Sequence, residues 1–261
     1  MTAFSTPADR LRAILVLLAT VATIGINYLG AIGAINGVTP AQISERYPTV
    51  LSPANYAFSI WTLIYAGLLA FSIYQLLPAN IEKYRRIRTI YIASCILNGL
   101  WIYFWLYDRV TVCFAIIVLL CVCLFLINRF LRTSKSAGEY WLVNGPFGIY
   151  FGWVTAAMLV NFAVLLVSWN VQISQSAWNT IAVVIVLLAA FLGVFMRIRL
   201  ANYFYPLAIA WALTAIAVKQ SGNTPIVLAA AIGVVGCLIA ALSFVLKLPN
   251  SESRISINEQ R

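Results

Sequence analysis

Charge is missing from most of this chain, and that absence limits what it can fold into. Residues 13–44, 47–81, 89–107, 110–128, 140–196, 200–218 and 220–246 contain no Asp, Glu, Lys or Arg. A helix crosses a bilayer core of roughly 30 Å with about 20 apolar residues. A charge held at mid-membrane costs at least about 2.5 kcal/mol, so spanning segments exclude it. Strands of a membrane barrel would be shorter, roughly ten residues, and would alternate apolar with polar. These runs do not alternate. The pattern predicts an all-α, polytopic membrane helical bundle whose solvent is mostly lipid.

Eight spans are expected, near residues 13–36, 54–77, 89–107, 110–130, 143–167, 179–197, 201–218 and 225–247. The run at 140–196 is too long for one span, and its polar middle, from Ser168 to Asn179, reads as a turn between two. The basic residues check this count. With the N-terminus in the cytoplasm, fourteen Lys and Arg fall in inner segments, among them Lys83, Arg85, Arg86 and Arg88. Only Arg46, Arg109 and Lys219 fall in outer loops. Such a bias is what the positive-inside rule expects of short loops. Both termini are therefore placed in the cytoplasm, and a bacterial cytoplasmic membrane is the expected location. The first apolar run exceeds the roughly 7–15 residues of a cleavable signal, so it is read as a retained span. Inner-loop bias also accounts for the net charge of +10 without any nucleic acid. Anionic lipid is the natural neighbour of those loops.

Several chemistries are excluded by what is absent. There is no histidine, so the commonest metal ligand, general base and proximal haem ligand are missing. The cysteines, Cys95, Cys113, Cys121, Cys123 and Cys237, all lie within apolar runs. Cys121 and Cys123 are two apart on a helix, point to different faces and suit no metal site. No metal site and no catalytic residue is assigned. Acidic residues fall at span ends, in loops or in tails. Ion-coupled transporters usually keep an ionisable group within a span, so ion coupling is disfavoured. No internal repeat supports an inverted-repeat transporter.

What remains in the spans is aromatic and amide chemistry. Phe58, Trp61 and Tyr65 share one face of the second span, at spacings of three and four. Asn98, Trp101 and Trp105 share a face of the third. Tyr150, Trp153, Ala157 and Asn161 align on the fifth. Two readings compete. Trp and Tyr collect at membrane interfaces as an aromatic belt, and Asn bonds across helices for stability. Alternatively, these side chains line a pocket for a flat apolar ligand.

The motifs resemble those of the TspO/MBR family, the translocator proteins and tryptophan-rich sensory proteins. Pro53, Trp61 and Ile64-Tyr65 match the family's second helix, which reads Pro-Pro and then Trp-x-x-Leu-Tyr. Leu97, Asn98 and Trp101 match the third, Leu-Asn-x-x-Trp. Tyr150, Trp153 and Asn161 match the fifth. The chain departs from the pattern at Ile149, where the family has proline, and at Ser52, where it has the first proline of the pair. The resemblance covers roughly residues 10–170. It implies a five-helix TspO-like core over residues 1–170, a three-helix C-terminal extension over 171–249, and a polar cytoplasmic tail at 250–261.

It also implies a function. Family members bind porphyrins, and some bind cholesterol, in a cavity covered by the long loop after the first helix. That loop here is Gly37 to Ser52. The expected activity is binding of a planar hydrophobic ligand, a tetrapyrrole first or a sterol-like lipid. Trp61, Tyr65, Asn98, Trp101, Trp105, Tyr150, Trp153 and Asn161 are the candidate ligand-binding residues. No cofactor is required; a porphyrin, or a haem without histidine ligation, is a candidate ligand. Two alternatives stay open: porphyrin breakdown with Trp61 or Trp153 as the redox-active group, and uncoupled small-molecule transport. A homodimer also stays open. The topology has a direct test. Alkaline phosphatase fused after Arg261 is expected to be inactive in a bacterial host, and high activity there would mean an odd number of spans or a cleaved first helix.

Overall fold

The polypeptide obeys the rule that a bilayer imposes on backbone groups: each must be satisfied within its own segment, so the segments are helices. A computed structural model describes residues 6–132 and 136–243. Helix α1 spans Pro7–Ala31, and a short helix α2, Pro40–Glu45, lies in the loop that follows. A 3-10 turn at Asn55–Ser59 leads into α3, Ile60–Tyr74. Next come α4, Arg85–Leu106, and α5, Val110–Phe130. The short α6, Ala137–Glu139, runs through a π-turn at Tyr140–Asn144 into α7, Gly145–Ser168. The last three are α8, Gln175–Leu200, α9, Phe204–Lys219, and α10, Thr224–Leu242. No strand occurs among the described residues. The expected tail at 250–261 and the end of the eighth span lie outside the described residues.

Eight spans were expected; among the described residues seven helices are long and apolar enough to cross a bilayer, α3 being counted together with its 3-10 turn as Asn55–Tyr74, and α9, with 16 residues, is shorter. It is buried on many sides, through Tyr205, Ala208, Ile209, Ala212, Leu213 and Ile216. A helix that is apolar all round belongs inside a bundle. The first helix begins at Pro7 rather than near residue 13. The reason is a capping box: the Asp9 backbone N–H donates to Thr6 Oγ1 (3.3 Å) and the Thr6 N–H donates to Asp9 Oδ2 (3.1 Å). Arg88, expected in an inner loop, is instead wholly buried in the first turn of α4. Its Nε donates to Gln75 Oε1 at 2.8 Å, so an amide takes the place of water.

Helix α4 packs between α1 and α5, while α7 packs between α5 and α9. Helices α8, α9 and α10 pack on one another. A single apolar cluster runs from Val16 of α1 to Cys237 of α10, so the core and the extension share one interior. Polar ties reinforce it. Thr20 Oγ1 of α1 meets Ser72 Oγ of α3 at 2.7 Å and Tyr91 OH of α4 at 2.6 Å. Asn202, in the turn before α9, donates to Asn128 Oδ1 (3.0 Å) and to the Asn144 carbonyl (2.9 Å). The chain thereby anchors its extension to α5 and α7. Ion pairs Lys83–Glu139 and Arg85–Asp9 fasten the end of the α3–α4 loop and the start of α4 to neighbouring helix ends. Large apolar side chains such as Leu18, Phe191, Ile198 and Ile232 remain exposed on outer faces, where lipid is their solvent.

Helices α7 and α9 cross tightly at Gly152. A Cβ there would lie 2.4 Å from the Tyr205 carbonyl oxygen, which is backbone and cannot turn aside. Gly152→Ala is therefore expected to lower the melting temperature, at an overpacking cost of about 1–3 kcal/mol. Gly25→Ala, with nothing within 4 Å of its added methyl, is the comparison and should melt no lower than the parent. Thermal scanning of the detergent-solubilised variants measures both.

Candidate functional site

Helices in this bundle alternate in direction, so the C-terminal halves of α1, α4, α7 and α9 meet the N-terminal half of α3 at one end. A cavity of about 740 Å³ lies there. It is at the end that carries Arg46, Arg109 and Lys219, opposite the basic loops. Its size falls within the roughly 300–1,000 Å³ of small-molecule pockets.

Six of the eight candidate residues line it: Trp61, Tyr65, Trp101, Trp105, Trp153 and Asn161. Their rings form stacked pairs. Trp61 lies on Tyr65 at 5.3 Å and 18°, and Trp101 on Trp105 at 5.4 Å and 14°. Both pairs follow from a spacing of four on a helix, which puts one ring above the next. Trp153 stands edge-on to Trp61 (6.3 Å, 85°) and to Phe58 (6.2 Å, 84°). Across the cavity wall, Trp101 Nε1 donates to Asn161 Oδ1 at 3.4 Å. Trp153 Nε1 is buried and finds no acceptor among the described residues.

Asn98 and Tyr150 do not line the cavity. They stand behind its wall, each only 2% exposed. Asn98 Nδ2 donates to Tyr150 OH at 2.8 Å and Asn98 Oδ1 accepts from Asn27 Nδ2 at 2.7 Å, tying α1, α4 and α7 together. Asn98 shares its face with Trp105 but sits about 10 Å deeper, at 1.5 Å per residue. Tyr150 is likewise about one turn below Trp153.

The loop after α1 covers the cavity, and Pro40, Ala41 and Ser44 of α2 form part of its lining. Several contacts hold the loop down, among them the bond from Asn36 Nδ2 to the Leu106 carbonyl at 2.9 Å. Trp105 Nε1 donates to the Pro40 carbonyl at 3.1 Å, and Tyr47 OH donates to Asp108 Oδ1 at 2.7 Å. Arg46 pairs with Asp108 Oδ2 at 3.1 Å. Burial and the Asp108 carboxylate together push the Tyr47 phenol above its usual pKa. The hydroxyl thus keeps its proton for this bond.

Some lining residues carried weak sequence signals or none. Asn27 is an amide inside a charge-free run, the same signal that singled out Asn98. Ala212 and Ile216 of α9 also line the cavity, and nothing distinguishes them from other apolar residues. None of the lining side chains carries a charge. At the opposite end of the bundle, Tyr140, Trp141, Tyr203 and Phe204 form a separate aromatic group, with Trp141 64% exposed. That group fits the interfacial belt. Among the described residues no three His, Cys, Asp or Glu gather as a metal site.

Fold and cavity together define a polytopic helical membrane protein with an aromatic cavity at one end. The family of TSPO-like proteins matches residues 13–244, and this chain belongs to it. The match runs past residue 170 and takes in α8, α9 and α10, so the family relationship extends well beyond the three motifs. No curated protein and no solved structure shows a significant match.

The bridge through Asn98 has a measurable consequence. Asn98→Leu removes the Tyr150 hydroxyl's partner and one of the two bonds of the Asn27 amide, which keeps the Thr23 carbonyl, and such a loss costs about 1–3 kcal/mol. Tyr150→Phe in the same chain should recover part of it. A double-mutant cycle on thermal stability is expected to give a coupling of about 0.5–2 kcal/mol. Strict additivity would show that the bond contributes nothing.

Proposed function

We propose that this protein binds a planar hydrophobic molecule in its aromatic cavity, as a translocator- or sensor-type membrane protein. A tetrapyrrole is the preferred ligand class, with a sterol-like lipid second. The observation that carries this reading is the composition of the wall. Two stacked aromatic pairs and Trp153 come from three helices, and every lining side chain is uncharged. Flat apolar rings pack well on such faces. A few polar groups, such as the amides of Asn27 and Asn161, are available to orient a polar edge. Carboxylates on a ligand would stay at the mouth, since no lining residue can pair with them. Of the side chains that ligate haem iron, the wall has no His, Cys or Met, and only Tyr28 and Tyr65 are of a ligating type.

The test is a titration of the purified protein with a free-base porphyrin, following tryptophan fluorescence, with a sterol as competitor. Saturable quenching is expected. Trp61→Leu removes a ring face worth about 0.5–1.5 kcal/mol, and should weaken binding roughly three- to twelvefold. Trp169→Leu is the control: Trp169 is 58% exposed, bonds Thr111 Oγ1 and lies outside the cavity. Equal effects of the two substitutions, or no saturable binding by the parent, would remove the ligand-site reading.

A further inference from the structure

We infer that α9, in the C-terminal extension, sets the size of the ring system that the cavity accepts. The inference rests on the reading of the cavity as a ligand site. Ala212 and Ile216 lie one helical turn apart on α9, are 3% and 4% exposed, and both line the cavity. Ala212 is a lining residue, as are Ala156 and Ala157 of α7, the helix against which α9 packs. Seven of the lining residues are aromatic, and a broad ring reaching from them to α9 needs the space that these short side chains leave. A larger side chain at Ala212 would occupy that room.

The same helix also holds the segment beside it. The Ala54 N–H donates to the Ala215 carbonyl at 3.0 Å, and Trp211 Nε1 donates to the Ala57 carbonyl at 3.0 Å. Tyr56 stands edge-on to Trp211 at 5.3 Å. Between these anchors the chain presents Asn55 and Phe58 to the cavity. Helix α9 therefore acts twice on the site, through its own small side chains and through the register of residues 54–58. Small residues are also what close helix packing requires, so a purely structural role must be separated from a size filter. The two differ in outcome: a structural defect weakens binding of every ligand, whereas a filter discriminates by ligand width.

The experiment compares two flat probes of different breadth, protoporphyrin IX and pyrene, on the full-length chain in detergent. Loss of tryptophan fluorescence reports binding, and a melting curve is taken for each variant. Ala212→Leu should weaken porphyrin binding about tenfold through overlap with the broad ring, while pyrene affinity stays within about twofold. Ile216→Ala should shift the ratio of the two affinities the other way. Retained pyrene binding shows that Ala212→Leu still folds around an intact cavity. The inference falls if the ratio is unchanged in both variants, or if both affinities drop together with the melting temperature. If the parent chain binds neither probe, the ligand-site reading falls and takes this inference with it. If the parent binds and only the ratio fails to move, the role of α9 alone is overturned.

Discussion

A bilayer offers little water to the interior of a helical bundle, and most buried polar side chains find a partner within the protein, often on a neighbouring helix. That requirement shapes this structure more than any other. Thr20, Ser72 and Tyr91 satisfy one another across α1, α3 and α4. Asn27, Asn98 and Tyr150 do so across α1, α4 and α7. Asn128, Asn144 and Asn202 connect α5, α7 and the turn before α9. Lipid offers little hydrophobic drive for helices to associate, so packing and such bonds carry specificity. Each tie joins segments distant in sequence, and together they fix which helices are neighbours.

The cavity adjoins the Asn27–Asn98–Tyr150 tie, with Asn27 part of both, and its wall is rich in aromatic side chains. The stacked pairs on α3 and α4 are rigid, flat and broad, and they cannot interdigitate as aliphatic side chains do. A void lined by ring faces results. The loop after α1 closes over it through Trp105, Tyr47, Arg46 and Asp108. A polar tie beneath and a polar latch above thus bracket an apolar cavity. The division also sorts the aromatic residues. Those near Tyr140 and Trp141 serve the interface, whereas those on α3, α4 and α7 serve the wall.

The extension is part of the same interior. Its expected boundary falls at the turn after α7, where Asn170 adopts a positive φ of 54°. Contacts nonetheless cross that boundary: α9 packs along α7, and the apolar cluster continues to Cys237. Residues 54–58, which precede α3, are held by backbone and indole bonds from α9. The family match over residues 13–244 agrees with a chain in which all eight long helices are one inheritance.

Charge-free runs, punctuated by basic loops, were enough to determine the helical class, the number of long segments and their order, because a bilayer penalises charge wherever the chain crosses it. Spacings of three and four placed Trp61 with Tyr65 and Trp101 with Trp105, because helical geometry is local. Depth was not legible. Asn98 and Trp105 share a face, yet one ties helices and the other lines the cavity, since partners from α1 and α7 meet Asn98. Nor could any pattern single out Ala212, Ile216 or Arg88. Apolar residues look alike in sequence whether they meet lipid, a helix or a cavity, and Arg88 is buried only because Gln75 comes from another helix to replace its water. The sequence alone determined what this chain must be in a membrane. Which side chains surround the cavity was decided only in three dimensions, where helices far apart along the chain meet at the same depth.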